Sequence, residues 1–144
     1  MALPPDQAAH FTGLLRKAGI RITRQRVALM AVLTSATDHP DAIDLHKRTK
    51  AHEPSTSLAT VYRTLAALEA KGVIQHHNFE GGGARFELVP KIHHDHIVDL
   101  DSGKVIEFKS DKIERLQAEI AAQLGYEVLH HRFELYCRKI SDKG

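Results

Sequence analysis

The amino-acid sequence predicts an α+β fold with two domains, and three observations lead to this prediction. In the first half of the chain, apolar residues recur at the three- and four-residue spacing of amphipathic helices. From Val73 onward they alternate with a period of about two, which is typical of strands. Between the two patterns, Val89-Pro90-Lys91 has the composition of a linker. We therefore expect one domain over residues 1–89, a linker at about 89–92, and a second domain over residues 93–144.

Four helices are predicted in the N-terminal domain. The first spans residues 6–18 and the fourth spans about 58–71, and each is followed by a glycine that can form a C-terminal cap. Thr23 is placed to cap the second helix, and a turn over residues 38–41 precedes the short third helix. The fourth helix should face the core with Val61, Leu65 and Leu68.

Two short strands follow, over residues 73–79 and 84–88, and a glycine-rich segment joins them as a hairpin turn. Three or more helices followed by such a hairpin are the pattern of a winged helix-turn-helix domain. The sequence therefore predicts this fold for the N-terminal domain.

The C-terminal domain is predicted to be a small α/β unit. Asp111 and Glu114 have the spacing of a capping box at the start of its helix. The expected elements are strands near 94–100 and 104–108, a helix over 111–124, and a last strand from 126 to about 137.

The fourth helix carries polar side chains near its N-terminal end, where a recognition helix meets the base edges in the major groove. These side chains are Ser57, Thr60, Tyr62, Arg63 and Thr64. Arg63 could bind a guanine edge or a phosphate, and the upstream Arg21, Arg24 and Arg26 suit phosphates or the minor groove. Periodicity alone explains the same residues equally well as the solvated face of an amphipathic helix.

Histidine is the anomaly of the composition, because the chain has 11 and three of them lie within residues 93–96. In an extended strand, His94 and His96 share one face while His93 and Asp95 share the other. One strand could thus supply two separate metal sites, and nitrogen and carboxylate ligands without thiolate suit Fe(II), Mn(II), Co(II) or Zn(II).

Further ligands must come from other segments. His131 lies in an otherwise apolar alternating row, where a histidine is more often a satisfied core residue, although the nearby histidines favour a ligand. Glu87 and Glu107 have apolar neighbours on predicted strands, and each could face either solvent or a histidine pair.

Other features exclude several classes of protein. No apolar stretch is long enough to span a membrane, the first residues lack a signal-peptide pattern, and a single cysteine excludes an internal disulfide and a cysteine-built zinc cluster. These features favour a cytoplasmic protein. A metallohydrolase is a remote alternative, because no HExxH motif or other catalytic signature is present.

Four segments resemble the ferric uptake regulator family of bacterial metal-dependent repressors. Residues 57–65, SLATVYRTL, resemble its recognition-helix motif, and residues 77–82, HNFEGG, resemble its wing. Residues 93–96, HHDH, resemble its metal motif, and residues 103–108, GKVIEF, continue the match. The resemblance covers about residues 17–136 in the family's order and spacing.

The resemblance implies two metal sites. A sensory site that links the two domains corresponds to His39, Glu87, His94, His96 and Glu107. A second site within the dimerisation domain corresponds to His93, Asp95, Glu114 and His131. In the family, the residues that match Tyr62 and Arg63 read DNA, and a basic residue that matches Arg21 reaches the minor groove. The other histidines are expected at the surface, with His76 and His77 near DNA.

The chain departs from the family at one pair of positions. Many family members carry two cysteines there, whereas this chain has Asp99 and Ser102. The four-thiolate structural zinc site is therefore expected to be absent.

The resemblance implies a metal-responsive DNA-binding repressor that acts on metal-uptake genes and is not an enzyme. Fe(II) is the first expected ion, and Zn(II) and Mn(II) are the alternatives. A haem-responsive member remains open, whereas Glu87 and Glu107 argue against a peroxide sensor, which typically has aspartate at the first of these positions and often at the second. The expected partners are a double-stranded DNA operator and a second copy of the chain, and the sequence leaves open a higher oligomer formed from dimers.

Overall fold

The structure is a computed structural model that describes residues 2–80, 82–90 and 93–140. Contacts divide the chain into two compact units, Met1–Val89 and Pro90–Gly144. Helices and strands occur in both units, so the predicted α+β class is confirmed. The first unit contains α1 (Pro5–Lys17), α2 (Arg24–Ser35), α3 (Ala42–His52), α4 (Leu58–Ala70), β1 (Ile74–Asn78) and β2 (Ala84–Leu88). The second contains β3 (Asp95–Asp99), β4 (Val105–Phe108), α5 (Asp111–Gln123) and β5 (Glu134–Cys137).

The core of the first unit surrounds α2. Every residue of this helix from Val27 to Leu33 is buried, as expected for a helix that has neighbours on all sides. Helix α4 packs on the core through Val61, Leu65 and Leu68, as predicted from its spacing, and leaves Tyr62 and Arg63 exposed.

Side-chain caps set the starts of the helices in this unit. The Thr23 hydroxyl accepts a hydrogen bond from the Arg26 amide at 3.1 Å, and the Asp41 carboxylate accepts one from the Asp44 amide at 2.8 Å. Just before α3, the Phe86 amide donates to the Pro40 carbonyl at 2.9 Å. The loop that carries His39 is therefore tied to β2, the strand that carries Glu87.

The second unit has a three-stranded sheet in the order β4-β3-β5, in which β3 pairs antiparallel with β4 and parallel with β5. Helix α5 connects β4 to β5 and has no buried residue. Among the described residues, no helix is long and apolar enough to cross a membrane.

Two predictions for this unit are wrong. Helix α5 begins one residue earlier than a capping box at Asp111 requires, because Ser110 caps it by accepting from the Ile113 amide at 3.3 Å. The last strand covers only Glu134–Cys137, and residues 126–133 form no strand. At the end of this segment the Phe133 carbonyl accepts from the His96 amide of β3 at 3.1 Å, but the register of β3 with β5 begins at Glu134, and an alternating pattern becomes a strand only where its backbone pairs with a neighbour.

Candidate metal centres and nucleic-acid interface

The first candidate ligands are His39 and Glu87, both in the first unit. His39 is almost fully buried, and its Nε2 lies 2.8 Å from Oε2 of Glu87. The loop before α3 supplies the histidine and β2 supplies the acid, so the hydrogen bond between Phe86 and Pro40 keeps the two side chains in reach of each other.

The second oxygen of Glu87 is held by side chains of β1. His77 Nε2 lies 2.9 Å from Oε1, and the Gln75 amide donates to the same oxygen at 2.8 Å. Burial alone raises the pKa of Glu87, but the hydrogen bonds from the two histidines and the glutamine outweigh it and hold the pKa well below its ordinary value. Glu87 is thus a half-buried, negatively charged carboxylate, which is the chemistry that attracts a divalent cation.

His77 is not at the surface, and the sequence-based prediction for this residue is wrong. Its ring is only 7% exposed and stacks on Phe79 with centroids 5.2 Å apart. The signal was present in the sequence, because residues 75, 77 and 79 share one face of a strand. Gln75 pairs with Glu87 across the hairpin, so this face is the one that carries the acid.

In the second unit, His94, His96 and Glu107 lie together. The rings of His94 and His96 are 5.0 Å apart, as the alternation of side chains along a strand predicted. Glu107 lies opposite His96 in the β3–β4 register, and its Oε2 is 3.3 Å from His94 Nε2. Two imidazoles and a carboxylate therefore share one face of the sheet.

On the other face, Asp95 is the centre of a second cluster. The carboxylate is 1% exposed, and its Oδ1 lies 3.0 Å from His93 Nε2 and 2.9 Å from His131 Nε2. The potential ligand atoms of His93, Glu114 and His131 all lie within 4.8 Å of one another. The four residues of the predicted second site thus meet, although they come from β3 and the residues just before it, from α5 and from the segment before β5.

This cluster fits a divalent metal ion. Within the described part of the chain, Oδ2 of Asp95 is buried and has no hydrogen-bond partner, which is costly for a carboxylate oxygen unless another group binds it. Two imidazoles and two carboxylates are ligands that Zn(II), Fe(II) and Mn(II) accept.

A hydrogen-bonded turn follows β3 at residues 99–104. The Ser102 hydroxyl donates to Asp99 Oδ2 at 2.9 Å, and the Asp101 amide donates to Asp99 Oδ1 at 2.9 Å. The Lys104 amide in turn donates to Ser102 Oγ at 3.1 Å. We call this arrangement the Asp99–Ser102 turn.

The polar end of α4 is exposed and already ordered. Ser57 caps the helix by accepting from the Thr60 amide at 3.1 Å, and the Arg63 guanidinium donates to the Thr60 hydroxyl at 3.2 Å. Tyr62 is 52% exposed beside them. Before α2, Arg21 is exposed, and its carbonyl accepts from the Arg26 guanidinium at 2.9 Å. These side chains can reach a ligand as large as a DNA duplex.

Comparison with known proteins gives consistent results. The profile of the ferric uptake regulator family matches residues 17–136. The ferric uptake regulation protein of Brucella abortus biovar 1 (strain 9-941) is 54% identical over 126 residues, which cover 88% of this chain and 89% of that protein. A solved structure of a zinc-bound manganese uptake regulator has a TM-score of 0.78 at 41% identity and covers 90% of this chain and 98% of its own. The Vibrio cholerae ferric uptake regulator has a TM-score of 0.78 at 39% identity, with coverages of 88% and 98%.

Proposed function

The chain belongs to the ferric uptake regulator family of metal-responsive regulators, and from this premise we propose that it represses metal-uptake genes when loaded with metal, those for iron in the first place. The observation that best supports the proposal is the set of imidazole and carboxylate clusters, each built around a buried acid or histidine. It acts on DNA in the cytoplasm as a regulator and not as an enzyme.

The proposed sensory site takes ligands from both halves of the chain. Each half has a pair or trio of candidate ligands within its own unit, as described above. The proposed set is His39, Glu87, His94, His96 and Glu107. A divalent ion bound there would place its positive charge among all of these side chains. Ligands from both units would then favour one arrangement of the units, and this preference couples metal binding to DNA binding.

The proposed second site has its ligands within one unit: His93, Asp95, Glu114 and His131. The unpartnered Oδ2 of Asp95 supports it. Because all four ligands come from the dimerisation unit, we assign this site to the stability of that unit and not to sensing. Neither proposed site uses a thiolate, and we propose no cysteine-built structural zinc site.

The proposed DNA contacts divide between base reading and positioning. Tyr62 and Arg63 read the major groove, while Arg21 reaches the minor groove. Ser57 and Thr60 lie at the same end of α4, where the Thr60 hydroxyl holds Arg63 in place. A homodimer would present two such helices to a double-stranded operator.

His96→Ala tests the sensory assignment. We expect a folded protein that no longer gains operator affinity when Fe(II) or Mn(II) is added under anaerobic conditions. His10→Ala, at an exposed position on α1, is the matched control and should respond like the natural chain. A His96→Ala protein that kept its full metal response in a gel-shift or fluorescence-anisotropy titration would refute the proposal.

A manganese-responsive regulator is the second candidate. The manganese uptake regulator is as similar in structure as the Vibrio cholerae protein, with a TM-score of 0.78 in both comparisons. The oxygen and nitrogen ligands proposed here also suit Mn(II). Operator affinity measured with Fe(II), Mn(II) and Zn(II) at buffered free concentrations decides between the two candidates, because the physiological ion must act within its cellular concentration range.

A further inference from the structure

We propose that His77 is a positioning residue of the sensory site: its ring holds one oxygen of Glu87 and thereby directs the other oxygen toward the metal. The inference rests on the proposed function, because it takes Glu87 as a ligand. It assigns a role to a buried histidine that the sequence placed at the surface.

The hydrogen bonds at Glu87 divide its two oxygens. Oε1 lies 2.9 Å from His77 Nε2 and accepts from the Gln75 amide at 2.8 Å, whereas Oε2 lies 2.8 Å from His39 Nε2. The Gln75 and His77 nitrogens are 3.5 Å apart, as expected for two donors that converge on one oxygen. With Oε1 held in this way, the carboxylate plane has a set orientation, and Oε2 faces the candidate ligand His39.

His77 is well suited to this role because its own ring is fixed. It is buried, and it stacks on Phe79 with an angle of 16° between the rings. A carboxylate oxygen only accepts hydrogen bonds, so the ring must carry its hydrogen on Nε2 to bind Glu87. His77 therefore orients Glu87 through a defined tautomer.

Residues that hydrogen-bond to a metal ligand matter because they orient that ligand before the ion binds. Their replacement in metal sites typically lowers metal affinity by about 10- to 100-fold. A histidine that merely filled the core of the hairpin would affect the stability of the protein but not its metal affinity once the protein is folded.

Three variants separate these roles. His77→Phe keeps an aromatic ring against Phe79 but removes the donor. His77→Gln restores a donor nitrogen near the position of Nε2. His76→Phe is the matched control, because His76 bonds to Glu69 instead of Glu87. Glu87→Gln identifies which phase of a titration belongs to the sensory site.

The measurement is Co(II) affinity by competition with a chromophoric chelator, together with thermal unfolding of the metal-free protein. The sensory site is the Co(II)-binding phase that Glu87→Gln removes. We expect His77→Phe to lower the Co(II) affinity of this phase by about 10- to 100-fold. We expect His77→Gln to recover most of this affinity and His76→Phe to leave it unchanged. Nitrogen-15 NMR of the metal-free natural chain should show His77 with its hydrogen on Nε2.

The outcomes distinguish a failure of the positioning role of His77 from a failure of the proposed function. If Glu87→Gln removes a binding phase and His77→Phe does not weaken it, the inference fails and the proposed function stands. If Glu87→Gln removes no phase, the sensory site itself is wrong. Loss in His77→Phe as complete as in Glu87→Gln, with no recovery in His77→Gln, would make His77 a ligand and overturn its positioning role. A hydrogen on Nδ1 with a bare Nε2 would overturn it as well, even if the Phe variant did not fold.

Discussion

At the scale of single residues, the chemistry of this protein depends on two acids that lie among imidazoles. Glu87 distributes its two oxygens over three hydrogen-bond donors, whereas Asp95 shares one oxygen between two histidines and leaves the other without a partner in the described chain. A buried unsatisfied carboxylate oxygen destabilises the metal-free state. A ligand that binds it therefore stabilises the fold.

His131→Ala and His39→Ala should therefore differ in effect. Loss of His131 leaves Asp95 with one imidazole fewer, so we expect about 1–3 kcal/mol of destabilisation and a smaller rise of Tm when Zn(II) is added. His39→Ala should keep the Zn(II)-dependent rise in Tm that comes from the second site but lose metal-dependent operator binding. Calorimetry and DNA-binding titrations on both proteins check this. The roles of the two sites are reversed if His39→Ala loses the rise in Tm while His131→Ala loses the response.

Arg63 and Arg21 should also differ, because one is proposed to read bases and the other to reach the minor groove. Arg63→Ala should cost about 1–3 kcal/mol in operator binding and relax sequence preference. Arg21→Ala should also weaken DNA binding. The factor should be similar for all sites that differ only in the major groove. Affinities for operator and random DNA at several salt concentrations measure both effects. Equal losses on the two DNAs for Arg63→Ala would assign this residue to a phosphate.

At the scale of elements, the turn between β3 and β4 is held by hydrogen bonds among its own residues. The Asp99 carboxylate accepts from the Ser102 hydroxyl and from two backbone amides. The Ser102 hydroxyl in turn accepts from the Lys104 amide, so the network runs from the last residue of β3 to the residue before β4. The turn is thus held by hydrogen bonds between neighbouring residues.

The stability that the Asp99–Ser102 turn contributes should decrease as pH falls. The Ser102 hydroxyl bond, followed by the backbone amide bonds, lowers the pKa of Asp99 below its ordinary value. A carboxyl whose pKa is lowered on folding stabilises the fold above its unfolded pKa, about 3.9, and this contribution disappears as pH falls through the lower folded value. Carbon-13 NMR titration of Asp99 should give a midpoint below 3.9 that rises in Ser102→Ala. An unchanged midpoint in this variant would contradict the assignment.

At the scale of the whole molecule, the second unit exposes several large apolar side chains. Leu124, Tyr126 and Leu129 are 71%, 75% and 84% exposed, and α5 buries no residue. Small units bury a small fraction of their surface and often need a partner. Large apolar side chains exposed along one segment favour an interface with a partner. A second copy of the chain is the partner that the proposed operator binding requires.

Leu129→Asp should therefore weaken the dimer. Burying a leucine contributes about 1.5–3 kcal/mol, so we expect the dimer dissociation constant to rise about tenfold or more. Ile43→Asp is the matched control, because Ile43 is exposed in the first unit. Sedimentation velocity over a dilution series measures the dissociation constant. A natural chain that sediments as a monomer at all concentrations would rule out the dimer.

Local patterns predicted well whatever depends on the backbone geometry of one element. The faces of α4 and the division of residues 93–96 between two faces follow from periods of 3.6 and two, and the cap at Thr23 follows from the preference of helix starts for a side chain that accepts a hydrogen bond. The extent of the last strand could not be predicted in this way, because strand pairing depends on a neighbour and not on the segment itself.

The sequence by itself determined the α+β class, the order of the elements, and which donor atoms are available to a metal or to DNA. Only the tertiary structure decided how deeply each of these groups is buried and which others it meets. His131 meets Asp95 across 36 positions of the chain, and His77 turns inward to Glu87 instead of outward. The physical reason is that periodicity is a property of one element, whereas burial and hydrogen bonding are set by the elements packed against it.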